Sequence, residues 1–323
     1  MHHHILVVKC ILFISILGIT SCDPNSDDPI AKDVTGHPVL TKEEVLLAYE
    51  EIYLPTTVDD PQWTGSAENC DRGTIPQSVQ DKVLARINYY RLMVGLPGDV
   101  TFDTELNDKC QAAALMFLRN QSLSHDPPTS WSCWSNDGFE AAGNSNIGLG
   151  DGNTPVHCTK AIDLYINDNE SGNASVGHRR WILYSKAKVM GHGSTSRSDA
   201  LWVTGNTANS IPEDLPDFIS YPPPGYTPHP LCYRKWSFSV PEANFEHSSV
   251  VMTNQDGESI TISVQHRSIP GEAIIGDNSI VWIPTILNND DTEVCFQVTI
   301  SNVELFNEVY NYSYIVTLIP IDE

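Results

Sequence analysis

Val176-Gly177-His178-Arg179-Arg180-Trp181-Ile182-Leu183 is the stretch on which the reading of this chain turns. A glycine frees the backbone ahead of a titratable imidazole, two guanidinium groups follow, and Trp181 to Leu183 can bury as soon as a helix starts. The residues before it, Asn167 to Ser175, are polar. The octapeptide predicts a helix that begins at a polar site with His178 at its mouth. Alone it fits equally a surface loop entering an ordinary helix, so the flanking chain decides.

Moving toward the N-terminus, Thr154-Pro155 predicts a helix with proline at a starting position, Val156, Ala161, Leu164 and Tyr165 inward, and Asp163, Asp168 and Glu170 near its end. Glu140 to Gly150 is dense in glycine and asparagine, which tolerate left-handed backbone. That segment reads as a tight turn between helices or the floor of a pocket. The Pro127-Pro128 pair forbids helix continuation and fixes His125 at a helix end. A helix from Asp103 or Thr104 to about Asn120 puts Leu106, Cys110, Ala113, Ala114 and Phe117 on one face. Another from Ser78 spaces Val79, Val83, Ile87, Tyr90 and Val94 by threes and fours until Gly95. Thr41-Lys42-Glu43-Glu44 is a capping box opening a short helix that should end before Pro55, and Pro55 to Pro76 reads as an ordered loop pinned by a disulfide at Cys70.

Downstream the period changes. Lys188 to Gly193 and Ala200 to Thr204 are short, apolar and bounded by Gly and Ser, which predicts strands, with another near Phe218 to Tyr221. The proline run at Tyr221 to Pro228 marks a boundary. Six or seven short strands follow, from Trp236 to Leu318, with turns such as Asp256-Gly257. The expected fold class is α+β: a three-layer α/β/α unit over residues 75–225, then an all-β sandwich of immunoglobulin type over 226–323. Residues 23–74 are expected to be a tether and a helical extension.

The formal charge of −23 repels nucleic-acid phosphates and anionic headgroups, and excludes nucleic acid as a partner. The apolar run Ile5 to Ile19 is too short for a membrane span and reads as a secretion signal over residues 1–22. Ile19-Thr20-Ser21-Cys22 resembles the lipobox of bacterial lipoproteins, where Cys22 carries the lipid; the chain is then held at the cell envelope or surface by that anchor, or otherwise secreted. Beyond Cys10 and Cys22, Cys70, Cys110, Cys133, Cys158, Cys232 and Cys295 are disulfide candidates in an oxidising compartment. Fifteen connectivities are open, and neighbourhood favours Cys133 with Cys158 and Cys232 with Cys295.

Common catalytic signatures, such as His-Glu-x-x-His, Gly-x-Ser-x-Gly and phosphate-cradling glycine loops, do not occur. What remains is His125 and His178 at element ends, with Glu140, Asp168 and Glu170 in the same unit. Two imidazoles converging with a carboxylate suit a divalent metal or acid–base work.

The ordered set of Asn88-x-x-Arg91, Leu123-Ser124-His125, Gly143-Asn144-Ser145-Asn146-Ile147, Gly177-His178-Arg179-Arg180-Trp181 and Met190-Gly191-His192-Gly193 resembles the CAP superfamily. That family takes in cysteine-rich secretory proteins, antigen 5, pathogenesis-related 1 proteins and their bacterial relatives. The resemblance covers roughly residues 78–220, and Arg234-Lys235-Trp236-Ser237-Phe238-Ser239 resembles bacterial members with a C-terminal β-sandwich. It implies an α/β/α fold with a cleft, and in many members two His and two Glu that bind zinc or another divalent ion. His125 and His178 match the two histidines. Ser145 stands where the first Glu is expected, with Glu140 as a stand-in upstream, and Asp168 or Glu170 are the neighbours available for the second. The family implies no single activity; the expected function is that of a binding protein whose cleft, with His125, Glu140, Asn144, Ser145, Asn146, His178 and Arg179, receives a small ligand, lipid or protein without catalysing a reaction. The alternatives are a hydrolase with His178 as general base and a surface adhesion module.

Overall fold

The computed structural model describes residues 31–212, 214–272, 275–286 and 292–321. The signal run and the Cys22 lipobox lie outside the described residues. Among those described, no helix is long and apolar enough to cross a membrane.

The first unit grows from caps and periodicity. β1 (Lys32–Thr35) precedes α1 (Lys42–Ala48), where Thr41 and Glu44 form the reciprocal capping box that the sequence predicts. The helical path runs on past that prediction, through tighter and wider turns to Thr56, with Pro55 taken into a final 3-10 turn. α2 (Gln77–Met93), β2 (Thr101–Phe102) and α3 (Thr104–Asn120) follow, α3 opened by Asp103, whose carboxylate accepts from the amides of Glu105 and Leu106. α4 (Asn136–Asn144) is a helix that the sequence reading lacks, started by Ser135, and it passes directly into β3 (Ser145–Leu149). The expected turn over 140–150 is therefore a helix end joined to a strand. It carries no period-two alternation because four of the five β3 residues are buried. α5 (Cys158–Asn167) starts later than expected: Asp151 gathers the amides of Asn153 and Thr154 into a turn that leaves Pro155 in the loop. α6 (Gly177–Ile182), β4 (Val189–Ser194) and β5 (Ser198–Trp202) complete the unit.

Its sheet has the order β2-β4-β5-β3, parallel at β2/β4 and antiparallel elsewhere. Successive residues of β5 face opposite layers: Leu201 joins the core of Val83 and Ile87 from α2 and Ile162 from α5, while Ala200 and Trp202 join Phe117 from α3 and Ala142 from α4. The result is three layers. The glycines of Met190-Gly191-His192-Gly193 set how closely α3 approaches. A Cβ on Gly193 would lie 2.1 Å from the Gln111 amide nitrogen, and one on Gly191 would lie 2.4 Å from Leu106 Cβ.

The second unit has two sheets. β6 (Ile219–Tyr221), β8 (Trp236–Ser239), β11 (Ser279–Pro284) and β10 (Ile262–Arg267) form one, in the order β10-β11-β8-β6. β9 (Ser249–Asn254), β12 (Val294–Leu305) and β13 (Glu308–Ile319) form the other with β1, in the order β1-β13-β12-β9, and β7 (Gly225–Pro228) also pairs with β13. Trp236, Phe238 and Trp282 from one sheet meet Phe296, Tyr312 and Tyr314 from the other in one core. Two expectations change here. The strand near Phe218 to Tyr221 pairs with β8 and so leaves the first unit's sheet, and part of the expected tether is the strand β1, parallel to β13. β1 is nearly all exposed, so only its backbone ladder announces it.

Cys70 is bonded to Cys133, which pins the loop before α2 as expected but overturns the pairing of Cys133 with Cys158. Cys110 and Cys158 are buried free thiols. Cys110 faces Ser145 across 3.8 Å, and Cys158 sits at the first turn of α5, its amide spent on Ser194 and Asp199. Cys232 and Cys295, the latter in β12, are half-buried.

Candidate functional site

α5 ends at Asp168, whose left-handed backbone (φ 48°) turns the chain out of the helix. The loop that follows returns through Val176, also left-handed at φ 46°, into α6. The conformational freedom expected of Gly177 is thus taken up by a β-branched neighbour, an uncommon placement. It is held by Asn173, whose side-chain oxygen accepts from the Gly177 amide at 3.0 Å.

The Asp168 side chain is wholly buried. Its Oδ2 accepts from the amides of His178 (2.9 Å) and Arg179 (3.3 Å), and its Oδ1 meets His178 Nδ1 at 3.0 Å and Asn173 Nδ2 at 2.8 Å. A carboxylate at Nδ1 fixes that nitrogen as the ring's donor and turns Nε2 into an acceptor. Among the described residues Nε2 has no hydrogen-bond partner. His178 is half-buried and lies at the polar end of a cleft of about 370 Å³. Leu123, Ile147, Leu149, Val156 and Leu164 make its apolar wall; Asn167, Asp168 and Glu170 lie with His178 at the other end.

Beneath the cleft runs a second buried pair. Tyr165 packs its ring 5.3 Å from that of His178 and donates its hydroxyl to Asp199 at 3.1 Å. Asp199 Oδ2 meets His192 Nε2 at 2.9 Å, and His192 Nδ1 meets Gln80 Oε1 at 2.8 Å. Burial, with Asp199 adding to it, pushes the Tyr165 phenol well above its usual pKa, so it remains a donor. Neither Asp199 nor Gln80 is evident in the sequence. The signal that exists is His192 between two glycines in a strand with Asp199 on the strand that follows.

The residues expected at the cleft disperse. His125 is exposed, its Nδ1 bonded to the Ala142 carbonyl at 2.8 Å; it does not line the cleft, although Leu123 does. Glu140 is exposed and paired with Lys109 at 3.0 Å. Asn144 closes the end of α4 on the Glu140 carbonyl at 2.8 Å, and Ser145 is buried beside Cys110. Asn146 is buried and donates to the His178 carbonyl at 3.0 Å, so it touches the site from behind. Arg179 is 1% exposed, and its guanidinium goes to the carbonyls of Ile166, Asn167 and Lys235 and to the Ser237 hydroxyl. Among the described residues no group of three or more His, Cys, Asp and Glu side chains is placed to hold a metal ion. With His125 on a carbonyl, Glu140 on a lysine and Ser145 in place of a carboxylate, these residues do not fit a zinc centre.

A three-layer domain with a histidine-bearing cleft is the class of structure that the first unit defines. Residues 84–206 match the family model described as CAP, the cysteine-rich secretory protein family. No curated protein and no solved structure matches the chain.

Proposed function

We propose that this is an exported CAP-domain protein, lipid-anchored at Cys22 in the manner of bacterial lipoproteins, that holds a small, largely apolar ligand in the His178 cleft without transforming it. The cleft carries the reading: an apolar wall ends at an imidazole whose acceptor nitrogen is oriented by a buried carboxylate. Such a site suits a hydrophobic body with one hydroxyl or amine donor. The residues lining it include no serine, threonine or cysteine to act as a nucleophile. The apolar run Ile5 to Ile19 before Cys22 supports export and anchoring. The second unit is an immunoglobulin-type sandwich in this reading, with β6 in one sheet and β1 at the edge of the other.

The Asp168–His178 hydrogen bond favours one further reading, a hydrolase in which His178 deprotonates an attacking water. Native mass spectrometry of protein purified from its own membrane, compared with Leu164→Arg, separates the two. Binding predicts a co-purified small molecule that the arginine expels and no turnover of nitrophenyl esters. Ester turnover abolished by His178→Ala would replace binding with hydrolysis, and an empty wild-type cleft without turnover would sink both.

A further inference from the structure

Lys235 reaches from the start of β8 in the second unit into the loop that carries Asp168. It is 4% exposed, and its ammonium donates to three backbone carbonyls: Asp168 at 2.8 Å, Glu170 at 2.8 Å and Asn173 at 2.7 Å. All three of its N–H bonds are thereby used. Three carbonyl dipoles converging on one point repel one another unless a cation sits between them, and a buried carbonyl without a donor is costly. Asn169 to Gly172 are exposed and belong to no helix or strand; the Glu170 and Asn173 carbonyls also accept from the amides of Asn173 and Val176, at 3.2 and 3.4 Å, while Lys235 supplies the donor to that of Asp168.

The connection runs both ways. The Lys235 carbonyl accepts from Arg179 at 2.8 Å, and the same guanidinium holds the carbonyls of Ile166 and Asn167 at the end of α5. The residues on either side of Asp168 are thus fixed by one ammonium from the second unit and one guanidinium that grips the second unit. Between them the Asp168 carboxylate faces His178, the Arg179 amide and Asn173.

We propose that Lys235 is a positioning residue for the His178 cleft, taking the place that a bound monovalent cation would fill, so that docking of the second unit decides which nitrogen of His178 faces the ligand. This extends the binding reading above by naming what shapes the cleft's polar end, while its geometry needs no ligand.

The test reads the His178 tautomer in ¹⁵N-labelled full-length protein by long-range ¹H–¹⁵N correlation, at a pH where the ring is neutral. The wild type is expected as the Nδ1–H form, and Lys235→Met is expected to lose it in favour of the Nε2–H form that free imidazole side chains prefer, while still melting cooperatively. Methylammonium is expected to restore the Nδ1–H form in Lys235→Ala, and tetramethylammonium at equal ionic strength is not. Retention of the Nδ1–H form in Lys235→Met overturns the proposal and leaves the cleft reading intact. An Nε2–H wild type overturns both. If Lys235→Met does not fold, folding of Lys235→Ala that depends on methylammonium supports the proposal, and its failure to respond rejects it.

Discussion

Asp168 holds His178 twice, by the ring at Nδ1 (3.0 Å) and by the backbone amide (2.9 Å), so side chain and helix start are oriented by one carboxylate. Asp168→Asn puts an N–H where an acceptor is needed, facing the imidazole or the two backbone donors. A buried donor left without a partner costs about 1–3 kcal/mol, and urea denaturation should show a loss of that size. The variant should also lose the Nδ1–H tautomer of His178, whereas Asn146→Ala, which touches only the carbonyl of His178, should keep it.

Gly193 faces the backbone of α3 with no room for a methyl group. Gly193→Ala must push α3 off the sheet, at a cost of more than about 2 kcal/mol. Thermal melting should report a large drop, while Gly152→Ala, with nothing near its Cβ position, should melt as the wild type does.

Asp277 of the second unit accepts both the amide and the hydroxyl of Ser185, each at 2.8 Å, and burial pushes its carboxyl up to about 6. The folded state therefore binds this proton more tightly than the unfolded chain does. Its contribution to stability is complete below the ordinary carboxylate pKa of about 4 and is lost as pH rises through about 6, an effect on the order of 3 kcal/mol. Unfolding midpoints across this range should fall with rising pH by that term, and Asp277→Asn should flatten it. A midpoint profile identical in both proteins would refute the assignment.

The Cys70–Cys133 bond closes a loop of 63 residues. Chain-entropy reasoning gives about 4 kcal/mol for a loop of that length, so Cys133→Ala should lower the melting temperature strongly, and peptide mapping without reductant should recover Cys70 linked to Cys133. Burial pushes the Cys110 thiol up to about 12. It should therefore resist iodoacetamide in the native protein at pH 8 and react once urea unfolds the chain.

The helices of the first unit were legible because their apolar positions recur at helical spacing and their first turns are capped, as at Thr41 and Asp103. β3 was not legible: buried on both faces, Asn146 to Gly148 offers no alternation to read. β1 was hidden for the opposite reason, being polar and defined only by its ladder to β13. At the site, His178 was found from its own octapeptide, but Asp168 was only a neighbour ten residues away. The functions of Lys235 and Arg179 lie in backbone carbonyls far away in sequence, which no side-chain pattern encodes. Neighbourhood in sequence misleads for Cys133, because the fold brings Cys70 to the end of the loop after α3.

The parallel pairing of β1 with β13 has a mechanical consequence. Tension applied through the segment before Lys32 enters the molecule at the edge of the second unit's sheet and is carried by the β1–β13 ladder. Load on the chain ahead of Lys32 therefore meets a row of backbone hydrogen bonds to β13 before it can reach α1.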